Sequence, residues 1–247
     1  MPEAPVFVAE NVSKRFGGLI AVDKVSLEAH AGEILGIMGQ NGAGKTSLFN
    51  TFAGIYVADG GRMTLNDVDV TALPAWRRSI AGIARTFQIP QPIWSLSVCE
   101  NVQVGLIAHG KSKAESAEIA EETLVGLGLQ AKLKSDPGDL TPGQLRLLEF
   151  ARAASLRPKL LLLDEVFAGL SLPEQQSTAD VVRKLRDSGI AIIWIEHNVR
   201  LMMELADRIV AMDHGHKIGA GTPLEVARNP DVIRVYLGRQ AADGKKS

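Results

Sequence analysis

Eight residues constrain this chain more than any others: Gly39-Gln-Asn-Gly42-Ala-Gly44-Lys45-Thr46. They fit G-x-x-x-x-G-K-[S/T], in which glycines let the backbone wrap a phosphate chain with its own N–H groups. Lys45 would reach the β- and γ-phosphates, and the Thr46 hydroxyl would ligate Mg²⁺. The apolar run Glu33–Met38 before the loop reads as a strand. Leu48 and Phe52 lie four apart behind it and Gly54 offers a stop, so Lys45–Ala53 reads as a helix. The positive end of that helix favours an anion. With Gly near 7% of average sequence, a chance match is on the order of 1%, and the strand–loop–helix context lowers it further. The candidate phosphate-binding set is Gly39, Gln40, Asn41, Gly42, Ala43, Gly44, Lys45, Thr46 and Ser47.

Such a loop needs a sheet to carry it, and the chain supplies one. Val6-Phe7-Val8, Lys24–His30 and residues 61–70 read as strands of the first third. The last third alternates strands Leu160–Leu163 and Ile190–Ile195 with helices after Ser171-Leu-Pro-Glu174 and from Asn198. Arg208–Met212 and Lys217–Ala220 flank Asp213-His-Gly-His216 as a hairpin. Thr222-Pro-Leu-Glu225 and Asn229-Pro-Asp231 start two short helices, the second stopping at Gly238. This alternation predicts a mainly parallel sheet covered by helices. The middle, about 90 to 155, is different. Pro90 and Pro92 mark an extended linker, Ser97-Val-Cys-Glu100 is a capping box, Glu118–Leu127 reads as a helix and Asp136-Pro-Gly138 as a loop. Thr141-Pro142-Gly143-Gln144 combines a good N-cap, proline at the first helical position and a residue able to close the box.

Composition narrows the partners. Lys plus Arg is 27 and Asp plus Glu is 28, a net charge of −1, which argues against a sequence-independent nucleic-acid binder. The single cysteine, Cys99, excludes an internal disulfide and a multi-cysteine zinc site. The longest apolar stretches fall far short of the ~20 residues that cross a bilayer, and Met1-Pro2-Glu3-Ala4-Pro5 has no signal-peptide character. The expectation is a soluble, cytosolic chain whose tail, Gln240–Ser247, is frayed.

Two carboxylates, Asp164-Glu165, close the strand Leu160–Leu163 at the sheet edge where ligands bind. Asp164 would hold Mg²⁺ through water, and Glu165 would polarise an attacking water. His197 follows the strand Ile190–Ile195 and could approach the same phosphate if the two strands are parallel and close. Gln88 precedes the proline linker.

In order along the chain, Phe16, the Gly39–Thr46 loop, Gln88, Leu140-Thr-Pro-Gly-Gln144, Asp164-Glu165, Ala168-Gly-Leu-Ser171 and His197 resemble the ATP-binding subunit of ABC transporters over nearly the whole length. The resemblance implies an α/β fold: a P-loop, RecA-like core with an antiparallel β subdomain and an inserted α-helical subdomain. The core with its β subdomain would be 1–89 and 156–238, the helical subdomain 90–155, and the tail 239–247. It also implies roles. Phe16 would stack on adenine. Gln88 would sense nucleotide and metal and couple to the membrane partner. His197 would steady the γ-phosphate, and Glu165 would act as base beside Lys45. Thr141, Gly143 and Gln144 would meet ATP held by an opposite subunit, since two such subunits close head to tail. Partners would be two membrane permease subunits, a second ATPase subunit and, through the complex, an external solute-binding protein, placing the chain at the cytoplasmic face of the membrane. By its position after Gln88 and its proline hinges, rather than by the resemblance, Pro90–Trp94 with the helix after Ser97 is expected to meet the permease.

Two departures stand out. The usual Leu-Ser-Gly-Gly-Gln is Leu140-Thr-Pro-Gly-Gln144, which keeps a hydroxyl and loses one N–H at a position free of intrahelical duty. The usual aspartate after Ala-Gly-Leu is Ser171, which still caps a helix but removes a charge. The runs Arg15-Phe-Gly-Gly-Leu19, Arg85-Thr-Phe-Gln88 and Asn229–Gly238 look like the branched-chain amino-acid importer ATPases, a group shared with carriers of amides, urea and other small acids. Two alternatives stay open: an ABC ATPase of a non-transport complex, and an ATP-binding regulatory subunit that hydrolyses weakly.

Overall fold

The computed structural model describes residues 4–196 and 198–235. Two sheets are formed. Strands β1 (Phe7–Phe16) and β2 (Leu19–Ala29) pair antiparallel and send Phe7, Ala9, Val12, Val25, Leu27 and Ala29 inward. β3 (Ile34–Gly39), buried at all its positions, runs into the glycine loop and helix α1 (Lys45–Phe52). β4 (Gly60–Leu65) and β5 (Val68–Asp69) complete a four-stranded antiparallel sheet, ordered β2-β1-β4-β5. The single strand expected over 61–70 is thus a hairpin. Asn66 and Asp67 sit at φ 45° and 64°, the left-handed pair that a two-residue hairpin turn demands and that Asn and Asp tolerate.

Helix α2 (Ala75–Ala81) and edge strand β6 (Ile83–Arg85) follow; sequence patterning did not single out either, since each is short. Three helices come next: α3 (Val98–Ala108), α4 (Lys113–Gly126) and α5 (Pro142–Ala154). α4 starts before the expected Glu118 because Ser112 and Glu115 form a capping box of their own. The stretch read as a loop at Asp136–Gly138 winds into a 3-10 turn over Pro137–Asp139. The chain then gives β7 (Leu160–Asp164), α6 (Leu172–Asp187), β8 (Ala191–Ile195), α7 (Val199–Leu205), β9 (Arg208–Asp213), β10 (His216–Gly221) and α8 (Pro223–Arg228). Residues 230–235 are helical, and the expected stop at Gly238 lies outside the described residues, as does the tail.

The second sheet has six strands ordered β10-β9-β3-β8-β7-β6, parallel except for the β10–β9 hairpin. Both of its faces are buried, which is why β7 and β8 read as unbroken apolar runs. Alternate residues serve opposite cores. Leu160, Leu162, Ile193 and Ile195 join α1 and the antiparallel sheet, whereas Leu161, Leu163, Ile192 and Trp194 join α3, α4 and α5. The helical stretch therefore shares a core with the sheet.

Candidate functional site

The carboxyl ends of β3, β7 and β8 converge, and the chemistry-bearing residues sit there. Two of the loop glycines are dictated by close approach. A Cβ on Gly44, at φ 93°, would lie 2.2 Å from the Ala21 carbonyl oxygen, and one on Gly39 would lie 2.6 Å from the Met212 carbonyl oxygen. The β9–β10 hairpin tip fastens the loop: the Gly215 N–H donates to the Ala43 carbonyl at 3.1 Å, and the Asp23 N–H to the Gly215 carbonyl at 2.9 Å. Lys45 is buried and donates to the carbonyls of Gly39 (2.7 Å) and Gln40 (3.0 Å). Burial pushes its ammonium pKa down, opposed by the negative charges of Glu165 and Asp164.

In front of the loop lies a cavity of about 510 Å³, lined by Leu19, Ile20, Ala21, residues 41–47, Gln88, Glu165 and His214. Glu165 is turned toward it by an unusual backbone: φ is 50°, a left-handed conformation costing an ordinary residue roughly 1–2 kcal/mol. That turn is held at both sides of the peptide. The Glu165 N–H donates to the Ile195 carbonyl at 3.0 Å, and Arg146 of α5 donates to the Glu165 carbonyl at 3.1 Å. The Gln88 amide donates to Glu165 Oε1 at 3.2 Å.

Asp164 lies behind this wall, 2% exposed. Its N–H donates to Thr86 Oγ1 at 2.9 Å, and Arg85 Nη2 donates to its Oδ2 at 3.2 Å. Burial raises the Asp164 pKa, and the Arg85 guanidinium works against that rise. β7 and β8 are parallel neighbours with Asp164 opposite Ile195, the strand relation that the reading of His197 required; His197 itself lies outside the described residues.

Other sequence candidates sit elsewhere. Phe16 packs edge-on against Tyr56 (5.1 Å between centroids) beneath the Lys14 ammonium, outside the cavity lining. Gly39 and Gln40 border a smaller cavity of about 240 Å³ with Met38, Asn41, Glu196, Val199 and Met202. Thr141 caps α5: Gln144 N–H donates to its hydroxyl at 3.2 Å, and its own N–H donates to Gln144 Oε1 at 3.1 Å. Gly143 is buried against Gly169 and Leu170. None of Thr141, Gly143 and Gln144 lines this chain's own phosphate-loop cavity. Sequence reasoning missed Arg85, Arg146, and the cavity walls Ile20 and His214. Only Arg85 carried a signal, as a cation ending a short apolar stretch three residues before Gln88.

The donor set suits Mg²⁺. A Thr46 hydroxyl at the cavity and a buried Asp164 carboxylate would offer it hard oxygen donors. Among the described residues no cluster of three acidic, histidine or cysteine side chains could cage a metal.

Glycine loop, strand-end carboxylates and parallel sheet together define a P-loop ATPase cassette. Comparison with known proteins specifies which. The family model described as ABC transporter matches residues 22–168, and one described as branched-chain amino acid ATP-binding cassette transporter matches residues 216–242. The high-affinity branched-chain amino acid transport ATP-binding protein LivG of Salmonella typhimurium is 36% identical, covering 95% of this chain and 98% of its own. BraF of Pseudomonas aeruginosa, of the same description, is 33% identical over the same shares. The lipopolysaccharide export system ATP-binding protein LptB of Escherichia coli is 36% identical over 93% of this chain and 96% of its own. A crystal structure of a nucleotide-free ATP-binding cassette from an ABC transporter superposes with a TM-score of 0.84 at 30% identity, covering 94% of this chain and 99% of that one. An ADP-bound cassette of an ABC transporter gives 0.82 at 31%, over 96% and 100%. The chain belongs to the ATP-binding subunits of ABC transporters and is an ABC-type ATPase. No described helix is long and apolar enough to cross a membrane.

Proposed function

We propose that this chain is the ATP-hydrolysing subunit of an ABC importer for branched-chain amino acids or related small polar or acidic solutes. The observation that carries the ATPase step is Glu165, bent out of β7 at φ 50° into the wall of the phosphate-loop cavity and bonded to Gln88. The transported class rests on likeness to LivG and BraF and on the match over residues 216–242, which favours import over the export role in LptB's name.

In the proposed reaction, the N–H groups of residues 41–46 cradle the phosphates of ATP. Lys45 gives up its bonds to the Gly39 and Gln40 carbonyls and takes phosphate oxygens instead. Thr46, Gln88 and Asp164 would hold Mg²⁺, and the bound ion would supply charge neutralisation to the nucleotide. Glu165 accepts a proton from the attacking water, and His197 supports the γ-phosphate. Phe16 closes on adenine. The Thr141–Gln144 helix start serves a second ATPase subunit's nucleotide, because the positive end of α5 favours an anion and Gly143 permits its close approach. We assign residues 1–89 and 156–238 as the core and 90–155 as the helical subdomain that presents this helix.

Membrane permease subunits would seat in a groove of about 350 Å³ lined by Ile55, Trp76, Phe87, Val104, Arg152 and Leu156 among others. Pro90–Trp94 borders it. The Gln91 carbonyl accepts from Arg152 at 2.8 Å, and Ile93 N–H donates to Asn101 at 2.7 Å, both partners lining the groove. Trp76 is 60% exposed there. The test is removal of this chain from its host followed by uptake of labelled leucine, isoleucine and valine, with affinity capture of the full chain from solubilised membranes. Loss of uptake and recovery of two membrane-spanning subunits are expected. Unchanged uptake would overturn the solute class, and capture without any membrane-spanning subunit would overturn the transport role.

A further inference from the structure

Two acidic residues at the end of β7 are each gripped from one short segment, Arg85 to Gln88. Gln88 holds Glu165 at 3.2 Å, and Arg85 holds Asp164 at 3.2 Å. The second grip has no role in the reaction as proposed above. Arg85 is nevertheless a costly residue to keep: its side chain is 9% exposed and that of its partner Asp164 2%. Burying such a pair consumes much of what the attraction returns, so the pair is weak evidence of stability and better evidence of specificity.

Each of the three guanidinium nitrogens has a partner. Nη2 takes Asp164, Nη1 takes Asn50 Oδ1 on α1, and Nε takes the Thr86 carbonyl at 3.1 Å. It thereby joins the helix that starts at Lys45, the carboxylate and the strand end before Gln88. A lysine has the charge but not the fork. On its other side Arg85 lines the groove, and Phe87, which also lines it, lies with its ring 5.2 Å from the guanidinium carbon. One side chain thus separates a metal-facing carboxylate from an exposed groove.

We propose that Arg85 is a positioning residue that aims Asp164 at the nucleotide's metal and lets the occupant of the groove, through Phe87, set that aim. The proposal rests on the assignment of Asp164 as the metal-facing carboxylate and of the groove as the permease's seat. Groups that orient metal ligands from behind are worth about 10–100-fold in metal affinity. Arg85 belongs to that class, with Asp164 Oδ2 held by Nη2 of the fork.

Mn²⁺ binding to the isolated full chain with ADP, followed by electron paramagnetic resonance, reads this directly without turnover. Arg85→Met is expected to weaken Mn²⁺ by about tenfold while affinity for a fluorescent ATP analogue in EDTA stays within about twofold of wild type. Arg85→Lys should fall between the two. Phe87→Ala should weaken Mn²⁺ by a smaller factor, and Val104→Ala, on the same groove away from the fork, should not. If Arg85→Met does not fold, Arg85→Lys and Phe87→Ala carry the test. Wild-type Mn²⁺ affinity in the Arg85 variants, or equal losses of metal and metal-free nucleotide binding, would overturn the positioning role. An unmoved Phe87→Ala would overturn the link to the groove. Asp164→Asn separates the premises: if it leaves Mn²⁺ affinity intact, the assignment of Asp164 fails; if it weakens Mn²⁺ and Arg85→Met does not, only the role of Arg85 fails.

Discussion

Lys45 shows how a single side chain can be stored for use. It donates to the loop's own carbonyls at 2.7 and 3.0 Å, bonds that phosphate oxygens would replace in the proposed reaction. Lys45→Ala should abolish measurable ATP binding by calorimetry; retained affinity would refute the phosphate-loop assignment. Arg78 has a comparable grip at the far end of α1. It is 1% exposed and donates to the carbonyls of Thr51, Phe52, Thr71 and Leu73, closing off the end of the helix whose first residue is Lys45. Burial lowers its pKa to about 10, still well above neutrality, so the group is charged at work. Arg78→Met leaves four carbonyls short of a donor and should cost about 3 kcal/mol or more in chemical denaturation. Nothing in a local pattern revealed Arg78, because its partners are distant in sequence. Lys45 was legible because its chemistry is local.

At the scale of elements, the helix starts were the most readable. Ser97/Glu100, Thr141/Gln144 and Thr222/Glu225 form capping boxes in the structure, and Ser171 and Glu174 bond in the same way. Each box is a four-residue pattern with one geometric meaning. α2, β6 and the β4–β5 hairpin were not legible because they are short, and tertiary contacts rather than periodicity decide them. The boxes also set a pH response. Glu100, Glu115 and Glu225 have carboxyl pKa values below the ordinary value because serine or threonine N–H and hydroxyl groups bond to the charged form. Folded values below unfolded ones mean this stabilisation is present above the unfolded value of about 4.5 and is lost as pH falls through the folded values. The melting temperature should therefore drop as pH falls below about 4.5, and replacing the three glutamates with glutamine should flatten that part of the curve. Ser112→Ala, which removes one box, should lower the melting temperature by about 2–4 °C.

For the whole molecule, the sheet order brings together what the chain separates. Residues from the ends of β3 and β7 line one cavity with Gln88, and β8 ends beside β7. A parallel sheet with helical crossovers was foreseeable from the alternation of elements, and with it the edge at which ligands bind. The shared core under α3–α5 was not, since periodicity says which face of a helix is buried but not against what. That core also ties the Thr141–Gln144 helix to the sheet through Leu147, Leu148 and Phe150. Movement of the groove's occupant should therefore shift α5 as well as the Gln88 segment. Trp76→Ala, in the groove, should reduce recovery of membrane-spanning partners on affinity capture while leaving ATP binding by the isolated chain unchanged.

The central claim is that Glu165 serves hydrolysis and not binding. Single-turnover hydrolysis and ATP affinity, measured side by side for wild type and Glu165→Gln, test it most directly. Affinity within about threefold of wild type and a hydrolysis rate lower by about 10²–10⁴ are expected. Hydrolysis at the wild-type rate in the variant would contradict it.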